Sequence, residues 1–305
     1  MILAYESNNP TSPARREKGE IHMATRTRFL QVTGMIVALA FLAACGGVSG
    51  GNYTINTNPG NWPWFWPDTA KYIVDGSFSE NVPVAGHSII HVDAVNGEIV
   101  ITGEPGATSV TVTAEMRVGS NASRQHAQEG LDQLRVLVAD LPDEIFVQTL
   151  QPKNLDGRQY VVNYTITVPS DLAVDVTQVN GHVSVSSIES SLFVEVENGN
   201  VYLSDIFGVA TVSVENGSID GTVTLPPGGD IMISTGIGDI DLRIPTSTSA
   251  ELSALVGFGA ITWDNLDLLN AVHTNRSLTG TLGDGTGLID LDTRNGNIDV
   301  TGFNG

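Results

Sequence analysis

A glycine followed two residues later by an apolar side chain recurs through this chain and limits what it can fold into more than any other feature. The pattern stands at Gly97 (Ile99, Ile101), Gly181 (Val183, Val185), Gly199 (Val201, Leu203), Gly217 (Ile219), Gly238 (Ile240, Leu242), Gly259 (Ile261, Trp263), Gly280 (Leu282) and Gly296 (Ile298, Val300). Asparagine precedes the glycine at five of these positions, as in Val214-Glu215-Asn216-Gly217-Ser218-Ile219. From Gly181 onward the steps are 18, 18, 21, 21, 21 and 16 residues. A near-period of this kind marks a repeat architecture and outranks local propensity.

The Asn-Gly pair tolerates positive φ and turns the chain, and the alternating residues after it send every second side chain inward. Alternation also runs upstream of the turns, at Val174/Val176, Leu192/Val194/Val196, Val212/Val214, Ile231/Ile233 and Ile289/Leu291. Each unit is therefore a turn with two short strands. One unit cannot bury its apolar row, whereas units stacked at a strand spacing of roughly 4.8 Å share a continuous core. The expected fold is mainly β, a β-solenoid. Asn-Gly hairpins in a β-sandwich give the same local signal, but strands of alternating direction do not demand a fixed step.

The single cysteine excludes a disulfide framework and a cysteine-based zinc site, and its position accounts for it. From Met23 the chain reads as a basic segment (Arg26, Arg28), an apolar run from Met35 to Ala44, and Leu42-Ala43-Ala44-Cys45-Gly46. That is a secretory signal ending in a lipobox, similar to bacterial lipoprotein precursors. The resemblance implies cleavage before Cys45 and acylation of its thiol, which anchors the chain to a membrane. Residues 1–22 are polar and aperiodic, and read as an extension upstream of a start at Met23. The expected location is the bacterial cell envelope, and the outer membrane if the envelope is Gram-negative, because no Asp follows Cys45.

Subtracting the three acidic and five basic residues that precede Cys45 from the chain's 34 and 14 leaves 31 acidic against 9 basic residues, a formal charge of −22. Nucleic acid is excluded as a partner, since phosphate needs a basic stripe. Residues 45–80 form an anchor and a spacer rich in Gly and Asn, interrupted by Trp62, Trp64 and Trp66. These tryptophans are candidates for a cap over the first coil, a headgroup contact or a sugar-stacking interface. Residues 81–175 form an N-terminal β section with one helix, predicted at about Ala122–Val138 with Ser120 or Ser123 as its cap, covering the exposed edge of the first coil. Residues 176–305 hold the repeats.

The order of acylated Cys45, spacer, strands, one helix, the strand Tyr164-x-Ile166-x-Val168-Pro169 and serial Asn-Gly turns resembles the bacterial putative adhesin family of β-strand-repeat lipoproteins. That family is related to the auto-transporter adhesin head domain family. The likeness covers roughly residues 85–305. It implies a single-stranded, right-handed β-helix-like solenoid and a non-catalytic adhesive role in the envelope; the ligand, an envelope or surface glycan or protein, is not named by the residues. The family has no agreed catalytic residues, so it implies none here and no cofactor.

Histidines 87, 91, 126, 182 and 273 are scattered. His87 and His91 lie on one face of a strand-like stretch about 13 Å apart, too far to share a metal. No nucleophile elbow, phosphate loop or dinucleotide fingerprint occurs. Asp220 and Asp241 follow their turn glycines at the same offset, and so does Asp299. Stacking sets the first two about 5 Å apart, which makes them candidates for Ca²⁺ binding, for glycan cleavage, or for a solvated face that discourages aggregation. Thr262 and Gly283 occupy the intervening units, so the expected row is broken. Asp284, Asp290 and Asp292 only faintly resemble a calcium-binding repeat, because the motif does not recur. The readings set beside a binding solenoid are a polysaccharide-degrading β-helix enzyme and a structural or sensory partner of another envelope protein. Cys45→Ser should abolish lipid labelling and release the protein from membranes; persistent acylation would overturn the anchor.

Overall fold

Strands alternate between two sheets at every glycine turn. The computed structural model describes residues 52–56 and 70–304, all within one unit of the chain. The N-terminal section comprises β1 (Asn52–Asn56), β2 (Tyr72–Pro83), β3 (Ile89–Asn96), β4 (Ile99–Glu104), β5 (Ser109–Ser120), α1 (Arg124–Leu131), β6 (Arg135–Asp140), β7 (Glu144–Leu150) and β8 (Arg158–Pro169). The repeats begin with β9 (Ala173–Asn180), β10 (Val183–Ile188), β11 (Leu192–Asn198), β12 (Val201–Ile206), β13 (Ala210–Asn216) and β14 (Ile219–Val223). They continue with β15 (Asp230–Ile237), β16 (Ile240–Pro245), β17 (Ala250–Phe258), β18 (Ile261–Asp264), β19 (Leu268–His273), β20 (Ser277–Leu282), β21 (Gly287–Asn295) and β22 (Ile298–Phe303).

The molecule is mainly β, built from two large mixed sheets with no closed barrel. The first sheet runs β19-β20-β17-β21-β15-β13-β11-β9-β3-β7-β6, and the second β1-β2-β5-β8-β4-β10-β12-β14-β16-β22-β18. Along the middle of each, neighbours are parallel and in register, for example Val194 with Val176 and Val212, and Val201 with Val183 and Ile219. At the ends the pairing turns antiparallel, at β6 and β20 in the first sheet and β5 in the second. Inward side chains of both sheets, mostly Val, Ile and Leu, belong to one buried core.

The glycine turns are stacked in a column. The Gly217 N–H donates to the Ile237 carbonyl (2.8 Å), and equivalent bonds join Gly97, Gly181, Gly199, Gly238 and Gly296 to their neighbouring units. Buried Gln178, Thr235 and Thr293 donate from inside to the carbonyls of Gly97, Gly217 and Gly238. Gly217 has φ of +149°, and a Cβ there would lie 1.9 Å from the Gly199 carbonyl oxygen. Only glycine fits so close a backbone approach.

A ladder made by the residue after each glycine fixes the register. The N–H of Asn200 donates to His182 Nδ1, that of Ser218 to Asn200 Oδ1, that of Asp239 to Ser218 Oγ, that of Asn297 to Asp239 Oδ1, and that of Ala260 to Asn297 Oδ1. Burial holds the His182 imidazole below its usual range. The ladder ends at Ala260, whose side chain accepts nothing.

Three expectations need correction. Gly280 is not a turn glycine. It lies inside β20, opposite Leu252, with the Leu268 side chain filling the space over it. The unit β21–β22 does not follow β17–β18 in space but lies between it and β15–β16, so the Gly296 turn stacks on Gly238 and receives Gly259. Finally, the helix is short. Ser123 caps it by accepting the His126 N–H, but it ends at Leu131, and Val136 and Val138 return to strand alternation in β6. β-Branched residues at period two favour that outcome over another helical turn. The helix packs on β2, β5 and β8, while the edge of β8 is covered by antiparallel β5.

Gly217→Ala should lower stability by about 3 kcal/mol or more. Gly221→Ala, whose Cβ would meet Leu203 at an ordinary 3.5 Å, should remain within about 1 kcal/mol of wild type. Denaturant unfolding of both variants checks this, and equal losses would refute the column as the cause.

Candidate functional site: the outer face of the second sheet

In-register parallel strands line up their outward side chains as well as their inward ones. Across the second sheet this gives the row Val100, Ser184, Tyr202, Asp220, Asp241, Asp299 and Thr262. Asp241 lies directly beside Asp220, as the repeat offset requires. The expected interruption by Thr262 is corrected: insertion of β22 makes Asp299 the next neighbour, and the Thr262 hydroxyl donates to it from the far side. Three carboxylates therefore stand side by side at the strand spacing, where the chain order of the strands implied two.

Burial pushes the Asp241 carboxyl above the usual aspartate range, and the charges of Asp299 and Asp220 add to that shift. Arg243 reaches Asp220 at 3.4 Å, with both side chains about half exposed, so solvent screens the pair. Among the described residues no group of three or more His, Cys, Asp or Glu side chains is arranged to hold a metal ion. Tyr202 borders the carboxylates, receives a hydrogen bond from Asn200 Nδ2 at 3.1 Å, and meets His182 edge-on at 5.9 Å. Asp284 and Asp290 take other roles: Asp284 receives a hydrogen bond from the Ser249 hydroxyl, and Asp290 lies in the outward row of the first sheet beside Met232. Cys45, Trp62, Trp64 and Trp66 lie outside the described residues.

The histidines are held separately. His87 meets Asp140 at 2.8 Å, and His91 bridges Asp175 (3.0 Å) and Glu144 (3.1 Å). The hydrogen bond that the His91 ring donates to Asp175 raises the His91 pKa most, with the charges of Asp175 and Glu144 adding, against the effect of burial.

One constellation escaped sequence reasoning because its members are brought together by α1 and the loop before β8. Ser120 Oγ lies 2.8 Å from His126 Nδ1, and His126 Nε2 lies 3.1 Å from Asp156. The order Ser-His-Asp is that of a hydrolytic triad. Here it is a clamp: Ser120 is 1% exposed and its oxygen already accepts the Ala122 N–H. Asp156 is held below the usual carboxylate range by the hydrogen bond from His126 and by the Arg158 charge. Arg158 also donates to the His126 carbonyl and pairs with Glu129, tying the loop to the helix.

No family model matches the chain, and no curated protein matches it. Among solved structures, it is similar to a putative cell adhesion protein from Clostridium sporogenes, with 13% identity, 74% of this chain and 99% of that chain covered, and a TM-score of 0.43. It is also similar to a putative adhesin from Bacteroides fragilis (15% identity, 73% and 96% covered, TM-score 0.31) and to one from Parabacteroides distasonis (12%, 73% and 96%, 0.20). Likeness at this level assigns no residue and no activity to this chain.

Because Asp241 is disfavoured as an anion in the folded state, its penalty is present at neutral pH and fades as the pH falls through its raised pKa. Asp241→Asn should therefore melt higher than wild type at about pH 7, and the difference should vanish below about pH 4. Melting curves across that range check the sign; a variant less stable at neutral pH would contradict it.

Proposed function

We propose that this chain is a lipid-anchored cell-envelope protein whose exported part is a β-solenoid that binds an extended surface ligand without catalysis. The observation that carries this reading is the in-register stacking of the units. It turns single outward residues into rows spanning seven strands, with Tyr202, Ser184 and three carboxylates on one face. A polymer with its own repeat is the natural counterpart of such a row. The lipobox at Cys45 and the spacer after it favour presentation away from a membrane.

The solenoid reading draws support from strands that return to the same sheet after each glycine turn and pair in parallel with their predecessors. A non-catalytic role is favoured by the burial of Ser120 and by the half-exposed, solvated setting of Asp220. Incubation of the protein with envelope and host polysaccharides should show retention without release of reducing or unsaturated ends. Products that disappear in Asp220→Asn or Asp241→Asn would make it an enzyme.

A further inference from the structure

The residue before each turn glycine forms a third column, and it is interrupted at one place. In spatial order it reads Asn96, Asn180, Asn198, Asn216, Ile237, Asn295, Phe258. The first four amides are linked: Asn216 donates to Asn198 (3.1 Å), Asn198 to Asn180 (3.1 Å), Asn180 to Asn96 (2.9 Å) and Asn96 to the Tyr160 carbonyl (3.2 Å). An amide ladder of this kind stabilises stacked strands. It stops at Ile237, and the Asn295 amide beyond makes no side-chain hydrogen bond among the described residues. Ile237 is 53% and Phe258 69% exposed, so neither replaces the lost bonds with core packing.

The same place holds cations with no carboxylate partner. Arg117, Arg158 and Arg243 pair with acidic side chains, whereas Arg276 and Arg294 form no ion pair among the described residues. Arg276, from the turn between β19 and β20, lies over the Phe258 ring with its guanidinium carbon 5.6 Å from the centroid. A cation over the ring face keeps guanidinium N–H donors for a two-point contact with a carboxylate. Arg294 immediately precedes Asn295 and stands between Gly236 and Gly257, which offer no side chain to enclose it. No acidic residue occurs between Asp267 and Asp284.

We propose that Phe258, Asn295, Ile237 and the arginines 276 and 294 form a subsite for a uronate-bearing polysaccharide. The inference rests on the binding role proposed above and names its ligand class. Phe258 and Ile237 supply apolar ledges for the C–H faces of sugar rings, two strand spacings apart on either side of Asn295. The free amide of Asn295 donates to and accepts from ring hydroxyls, and the arginines take the carboxylates.

The test is retention of the full chain, in detergent micelles, on immobilised polygalacturonate and on its methyl-esterified form, which keeps the sugar backbone and removes the charge. The acid form should bind at least about tenfold more tightly, and added salt should weaken it. Phe258→Ala, and Arg276→Gln combined with Arg294→Gln, should each lose about tenfold, with melting temperatures unchanged because these side chains are exposed. Phe258→Tyr should bind as wild type. Equal retention on the two forms, or retention indifferent to the Phe258 and arginine variants, overturns the subsite. If neutral or cationic glycans bind instead, the subsite fails while the broader binding role stands; if no glycan or surface protein binds, both fail.

Discussion

Each turn of this molecule depends on one close approach, a glycine carbonyl oxygen lying where the Cβ of the next unit's residue would be. At Gly181, Gly199, Gly217, Gly259 and Gly296 that distance is 1.6–1.9 Å, well inside any contact a side chain could make. Removing the side chain lets the turns nest, and nesting sets the strand register on both sides of the turn at once. Since side chains alternate in a strand, a slip of one residue would turn the buried Val, Ile and Leu rows out to water. Three columns guard against that slip: the glycine backbone bonds, the ladder at the following residue, and the amide ladder at the preceding one.

The same register makes the surface a consequence of the core. Once Val201, Ile219 and Ile240 are stacked inside, the residues next to them must line up outside, and Tyr202, Asp220 and Asp241 do so whatever their mutual attraction or repulsion. Asp241 carries the cost as a carboxyl harder to ionise, flanked by like charges that no local change of rotamer can take far away. The outward row and part of the electrostatic penalty thus have one origin. Turn columns are different, because hydrogen bonds along the stack reward identical residues there. Ile237 and Phe258 forgo that reward, which is why the place where they interrupt the amides attracts a functional reading.

Much of this was legible in the residues. The glycine spacing marked the strands from β9 to β16, and the equal offsets of Asp220 and Asp241 predicted their adjacency, because both follow from local chain geometry. Spatial order at the end of the repeats was not legible. Steps of 21 and 16 residues permit β21–β22 to pair with whichever neighbour offers complementary edges, and parallel pairing keeps no record of chain order. Gly280 carried the turn signature into a strand interior, where its missing side chain makes room for Leu268. The helix was overextended because Leu134 and Val138 fit its period as well as they fit strands. The Ser120-His126-Asp156 clamp had no signal, Asp156 lying 30 residues beyond His126 and all three being ordinary in kind.

Interleaving of units at both ends gives the stack a property that a simple succession lacks. In a linear array the terminal unit has one neighbour, so it opens at the lowest free energy and frays first. Here the pair β21–β22 is held on two sides, by β15–β16 and by β17–β18. The N-terminal pair β3–β4 is likewise enclosed, between β7–β8 and β9–β10. Opening either pair breaks two sets of strand bonds where one would otherwise suffice. The units at the spatial ends, β7–β8 and β17–β18, are joined to the chain on both sides, and antiparallel strands cover β7, β8 and β17. Both pairs therefore lie inside the stack, and that enclosure on two sides keeps the rows on its surface in register.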